Sequence, residues 1–217
     1  MKMLLFARRR DSWEKGLRKS GQKPRPVQLV LEQLESRYCP APVIANFQAH
    51  AEPMVNTKQV ELTGSVSDNA AGPFTVTFSG SGVSVTTSSS GTFDVITSAT
   101  SLGTVTAVAT NNNTQVSGNP VDTSIRDGTP SIVNFTASHV MGNMWTFSGQ
   151  VTDDQSTNGL VVTLGGLPSL QGVTVTTNSQ GWFSYTCQLG AGESGTATAQ
   201  AQDIWGVLSN VAWTVVN

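Results

Sequence analysis

Six side chains in this 217-residue chain have the types and loop positions to do chemistry: Asp127, Asp153, Asp154, Asp203, Trp182 and Trp205. Carboxylates in loops are oxygen ligands, and Ca²⁺ collects roughly six to eight oxygens from carboxylates, carbonyls and water. The four aspartates are therefore candidate Ca²⁺ ligands, although no tight Asp-x-Asp-x-Asp loop holds them. Tryptophans exposed on loops offer a flat platform for a sugar or a peptide, so Trp182 and Trp205 are candidate ligand-binding residues. A third reading needs no ligand: the two rings cover a domain junction and the aspartates make loop hydrogen bonds. All three expect Asp153, Asp154, Trp182, Asp203 and Trp205 to gather at one end of the second domain, facing the first across a linker that carries Asp127. The Ca²⁺ site would then be interdomain.

Catalytic constellations are poor. His50 and His139 are the only histidines, and Cys39 and Cys187 the only cysteines. A Cys187–His139–Asp153 triad can be written down, but Cys187 sits mid-strand facing a core, without an activating neighbour. The cysteines have no short metal-ligand spacing. A Cys39–Cys187 disulfide would tie the leader to a core strand; a buried thiol is the simpler reading of Cys187. No phosphate-cradling glycine loop and no strand-to-helix nucleophile turn occurs. The expectation is a protein that is not an enzyme and needs no cofactor, Ca²⁺ apart.

The elements that must position these residues are strands. Residues 82–93 (GVSVTTSSSGTF) return as residues 172–183 (GVTVTTNSQGWF). Valines alternating with Thr or Ser mark a half-buried strand, and the small polar residues before Gly mark a hairpin turn. Other pairs repeat too: Asn46-Phe47 with Asn134-Phe135, residues 62–68 with 147–153, and 103–109 with 195–201. The offset drifts from 85 to 92, so insertions fall in loops while strands stay aligned. That is the signature of a duplicated domain. In the second copy the period-two runs are 131–138, 144–151, 160–165, 172–177, 181–188, 195–202 and 207–216. Seven short strands in such a length predict an all-β sandwich of the Ig-like kind.

The expected inward faces of the second copy are Phe135; Trp145, Phe147 and Val151; Val162 and Leu164; Val173 and Val175; Phe183, Tyr185 and Cys187; Ala197, Ala199 and Ala201; and Val211, Trp213 and Val215. The first copy has Val60 where the second has Trp145, which predicts a thinner core and the less stable half.

Charge divides the chain. Residues 1–41 hold 10 of the 12 Lys+Arg and 4 of the 14 Asp+Glu, and the rest of the chain is acidic. An acidic, lysine-poor body excludes nucleic acid as its partner, because phosphates need a basic surface. No run of apolar residues is long enough for a membrane-spanning helix. Three segments follow: a basic leader, 1–41, and two sandwich repeats, 42–127 and 130–217. In the leader Val27, Val30, Leu31, Leu34 and Tyr38 have helical spacing between Pro26 and Pro40, predicting a short amphipathic helix in a partly helical or disordered segment.

Residues 31–41 (LEQLESRYCPA) resemble the Leu-Glu-x-Leu-Glu-x-Arg-x-x-Pro-Ala stretch near the N-terminus of many large bacterial cell-envelope and secreted proteins. The body is similar to bacterial Ig-like repeats, and residues 203–210 (DIWGVLSN) resemble the Asp-x-x-Gly-x-x-Ser-Asn turn before their last strand. Residues 111–119 of the first copy depart from that turn. The resemblance implies export to the extracellular space or cell envelope. It also implies a non-catalytic structural or adhesive module whose partner is an envelope or extracellular protein or a glycan. Oligomeric state is left open.

Overall fold

The computed structural model describes residues 41–53, 56–70 and 72–217. The leader helix, Cys39 and its pairing with Cys187 lie outside the described residues. Within them the chain is all-β, apart from one turn of 3₁₀ helix at Pro168–Leu170. Seven strands make the first sandwich: β1 (Val43–Ala51), β2 (Gln59–Ser67), β3 (Phe74–Gly80), β4 (Val83–Ser89), β5 (Thr92–Ser98), β6 (Thr104–Asn111) and β7 (Val121–Arg126). Seven more make the second: β8 (Ser131–Met141), β9 (Met144–Thr152), β10 (Val161–Gly165), β11 (Thr174–Thr176), β12 (Trp182–Gln188), β13 (Gly195–Gln202) and β14 (Ala212–Val216).

Both copies use one strand order. In the second, β12-β9-β8 faces β11-β10-β13-β14; in the first, β5-β2-β1 faces β4-β3-β6-β7. The first copy adds a parallel pairing of β1 with β7, at Ala49–Ile125 and His50–Arg126, which joins its layers into one sequence of seven strands. This is the Ig-like sandwich. It corrects the hairpin expectation: β4 pairs with β3 and β5 with β2, so residues 82–93 cross from one sheet to the other. The crossover is held locally, since Ser89 Oγ accepts from Gly91 N–H at 3.1 Å and donates to Thr92 O at 2.8 Å. Asn178 does the same in the second copy, its Oδ1 accepting from the N–H groups of Gln180 and Trp182. A polar turn before Gly suits a crossover as well as a hairpin, so the sequence pattern alone did not separate them.

The repeated Asn-Phe pair has a structural cause. Asn46 and Asn134 both adopt φ of 54°, at the register shifts of β1 and β8. Asn tolerates the left-handed region better than most residues, and the bulge re-aims the chain so that the next residue, Phe47 or Phe135, turns to the core. Phe47, Phe78 and Phe93 meet with ring centroids 5.3 to 6.1 Å apart. Gly64 and Gly149 sit opposite Phe93 and Phe183, and a Cβ there would lie 2.4 and 2.8 Å from the rings. Phe93 and Phe183 are both buried.

The inward list needs two corrections. Trp145 is only half-buried, whereas Val60 is fully buried beside three phenylalanines, so the first core is not the thinner one. Val211, Trp213 and Val215 are exposed, Trp213 at 67%; Val216 is the buried residue of β14. Apolar residues stand on both faces of that strand, so alternation could not fix its register.

Candidate functional site

Three segments converge where the second sandwich meets the first: the linker after β7, the β9–β10 loop and the β13–β14 loop. The last is the best defined. Asp203 Oδ1 accepts from Trp205 N–H at 2.8 Å and Val207 N–H at 2.7 Å, curling residues 203–207 into a tight turn. Gly206 at φ of 92° completes it. Ser209 Oγ accepts from Ala201 N–H at 2.8 Å. Asn210 clamps the start of β8, its Oδ1 accepting from Ile132 N–H at 2.8 Å and its Nδ2 donating to Ile132 O at 3.2 Å. The Asp, Gly, Ser and Asn of the 203–210 stretch thus each fix backbone.

The turn presents Trp205 to the first sandwich. The ring is 8% exposed and belongs to the same buried cluster as Val60, Phe78 and Ala99, with Val207 packed on that cluster and Ile204 touching both cores. Lys58 lies over the ring, 5.7 Å from its centroid, while donating to Thr100 O at 3.2 Å. That cation–π contact was not legible in the sequence, because Lys58 and Trp205 lie in different repeats. Burial removes Trp205 as a platform for a sugar or peptide. Trp182 is elsewhere: it is 43% exposed at the start of β12, opposite Gln150.

The aspartates are gathered but not neutralised. Asp203 is 7% exposed, and its Oδ2 has no hydrogen-bond partner. Both carboxylate oxygens of Asp127 and Oδ2 of Asp153 are likewise buried and unpartnered. Burial, then the Asp203 carboxyl within hydrogen-bonding reach, then the charges of Asp203, Asp154 and Asp153 raise Asp127 to about 7. Burial and then the neighbouring Asp154 raise Asp153 to about 6, against the pull of the Asp154 N–H on Oδ1. Asp154 is exposed and packs over Gly128, where a Cβ would stand 2.5 Å from its Oδ1. Even so, among the described residues no three His, Cys, Asp or Glu side chains are close enough to form a ready-made metal site.

The first sandwich shows what is missing. Asn111 occupies the position of Asp203: its Oδ1 accepts from the N–H groups of Asn113 and Thr114. Its Nδ2 then donates to Asp68 Oδ2 at 2.9 Å and Ala70 O at 3.0 Å. Asp68 is the counterpart of Asp153. The second copy replaces that amide donor with a carboxylate. Residues 111–119, set aside on sequence as a departure, keep the cap and change its charge.

The Cys187–His139–Asp153 constellation is broken up. His139 Nε2 pairs with Gly142 O at 2.7 Å, and its ring meets Trp145 edge-on. Cys187 lies opposite Trp145 at the start of β9, a strand's length from Asp153, and burial followed by the charge of Glu193 raises its thiol pKa.

No family model and no curated protein matches the chain. Among solved structures it is similar to the D0-D1 domain of intimin, with 18% identity, 80% of this chain and 99% of that one covered, and a TM-score of 0.27. It is similar to a 1.5-MDa bacterial ice-binding adhesin, at 18% identity, 82% and 65% coverage and a TM-score of 0.31. Fibronectin(III)-like modules of Clostridium thermocellum CbhA match at 14% identity, 80% and 92% coverage and a TM-score of 0.29. At these scores the class rests on strand order: a tandem of Ig-like β-sandwiches. No helix of the described residues is long and apolar enough to cross a membrane.

Proposed function

We propose that the chain is a non-catalytic structural or adhesive module of the bacterial cell envelope or extracellular space, built to hold two sandwiches in one fixed relation. The observation that carries this is Trp205, an aromatic of the second sandwich buried in the core cluster of the first. A short linker, residues 127–130, and Pro130 restrict swing further. The resemblance of residues 31–41 to an export-associated stretch supports the location, and an envelope or extracellular protein or glycan is the partner class it fits. Cell fractionation with sequencing of the mature N-terminus tests it. Recovery in the envelope or medium is expected; a cytosolic protein with an intact leader contradicts the location.

A second reading has its own support: the buried carboxylate oxygens of Asp127, Asp153 and Asp203 have no donor. A Ca²⁺ ion would supply the missing positive charge, with Asp154 as a fourth carboxylate and backbone carbonyls filling the shell, once the β9–β10 loop draws in. Melting with and without millimolar Ca²⁺ tests this. A rise that Asp203→Asn abolishes supports it, and an unchanged midpoint removes it. The glycan version loses Trp205 and keeps Trp182 alone.

A further inference from the structure

The surface that receives Trp205 has a counterpart in the second sandwich. In the first, it lies where β1 ends, β2 begins and β5 ends, and Ala99 N–H donates to Lys58 O at 2.9 Å. In the second, Leu189 N–H donates to Asn143 O at 2.9 Å, so Asn143 stands for Lys58 and Leu189 for Ala99. Strand register makes His139 the counterpart of Ala51, and Trp145 that of Val60. In the first sandwich these positions are closed, Ala51 at 6% and Val60 at 0% exposure. In the second they are open: His139 is exposed, Trp145 is half-buried, and Val140 and Met141 beside them are 54% and 69% exposed. Between them is a cleft of about 330 Å³, lined by His139, Trp145, Leu189, Gly190 and Glu193 among others.

We infer that this end of the second sandwich is the acceptor for a further Ig-like sandwich presenting a tryptophan-bearing loop of the β13–β14 kind. The internal precedent is the Trp205 loop, already seated on the equivalent surface of the first sandwich. A second copy of this chain does not supply the partner. Its own Trp205 is engaged, and the corresponding loop of its first sandwich, residues 111–119, contains no aromatic residue. Charge narrows the choice. Ser169 N–H and Oγ and Gly190 N–H all donate to the Glu193 carboxylate, which holds its pKa below the ordinary value and keeps an anion at the rim. The incoming loop is therefore neutral or basic, unlike the acidic end of the second sandwich.

The inference rests on the fixed-junction reading, so its test separates the two. The full chain is extended at Asn217 by a second copy of residues 127–217 carrying Asp127→Asn and Asp203→Asn, so that the added loop brings fewer unpaired carboxylates toward Glu193. Hydroxyl-radical oxidation then reads the solvent exposure of His139 and Trp145 in the original part. Oxidation of both is expected to fall several-fold on extension. It should be restored by Trp205→Ala in the added copy, or by Leu189→Lys in the original part. Equal oxidation of Trp145 with and without the extension overturns the inference, as does protection that survives loss of the added tryptophan. Trp205→Ala in the natural chain tests the original junction separately. If that junction loosens while Trp145 stays open in the extended chain, only the present inference fails.

Discussion

The β6–β7 loop of the first sandwich and the β13–β14 loop of the second share a cap and differ in one functional group. Asn111 is fully buried and spends both ends of its amide, the oxygen on backbone N–H groups and the nitrogen on Asp68. Asp203 spends one oxygen the same way and turns the other toward Asp127 with nothing to receive it. A buried acceptor left without a donor costs more than a made hydrogen bond gains. The first loop is thus optimised for its own domain, while the second carries local electrostatic cost at the point where two domains touch. What offsets that cost is Trp205, which the Asp203 turn delivers to the neighbouring core. Duplication kept the scaffold and gave one copy's loop an interdomain task.

The largest expected effect follows from removing the ring. Trp205→Ala should cost about 3 kcal/mol, as for a large aromatic deleted from a core. It should lower the melting midpoint of the first sandwich as well as the second, since the ring belongs to the first core. Next, Asp203→Ala strips the acceptor from two amides and should cost about 2 kcal/mol. Chemical denaturation followed by tryptophan fluorescence would show the indole becoming solvated. Asn111→Ala should cost a similar amount while leaving Trp205 buried, which separates the loop's local role from its junction role.

Smaller and of opposite sign is Asp203→Asn, which copies the first sandwich into the second. It keeps the Oδ1 cap and supplies a donor toward Asp127 or Asp153, so calorimetry should show a gain of about 1 kcal/mol at neutral pH. The pH response follows its neighbour Asp127. Because the folded pKa of Asp127 is raised from 3.8 to about 7, the folded chain binds more protons than the unfolded chain between those values. Stability therefore falls as pH rises through that window. Asp127→Asn should lessen the fall of the melting midpoint between pH 4 and 7, the remaining fall belonging to Asp153, which is raised from 3.8 to about 6. Glu193, whose pKa is lowered from 4.5, acts in the opposite sense at the acid end of that window and below it, its contribution being lost as pH falls from 4.5.

Much of the scaffold was legible in sequence because its signals are local. Alternating valines, the Asn-Phe bulges and the 203–210 turn each encode their own backbone, and fourteen strands follow from them. Pairing was less legible. The turn at residues 88–91 looks alike whether the next strand returns beside β4 or crosses to β2, and only the packed core decides. The face of β14 failed for a related reason, since Val211, Trp213 and Val215 compete with Ala212 and Val216 for the interior. At the site, topology brought Asp127, Asp153, Asp154 and Asp203 to one end, as the spacing of loops implied. The fate of Trp205 and the role of Lys58 were hidden, because they depend on the surface of the other repeat. Asn111 could have been found by aligning the loop on Gly103 and Gly195, whose left-handed φ values of 156° and 137° mark the same turn in both copies.

Residual dipolar couplings on the full chain test the locked junction most directly, by measuring an alignment tensor for each sandwich independently. The account predicts one tensor shared by residues 43–126 and 131–216 in the natural chain, and two in Trp205→Ala. Two different tensors in the natural chain, or one that survives loss of the ring, would contradict it.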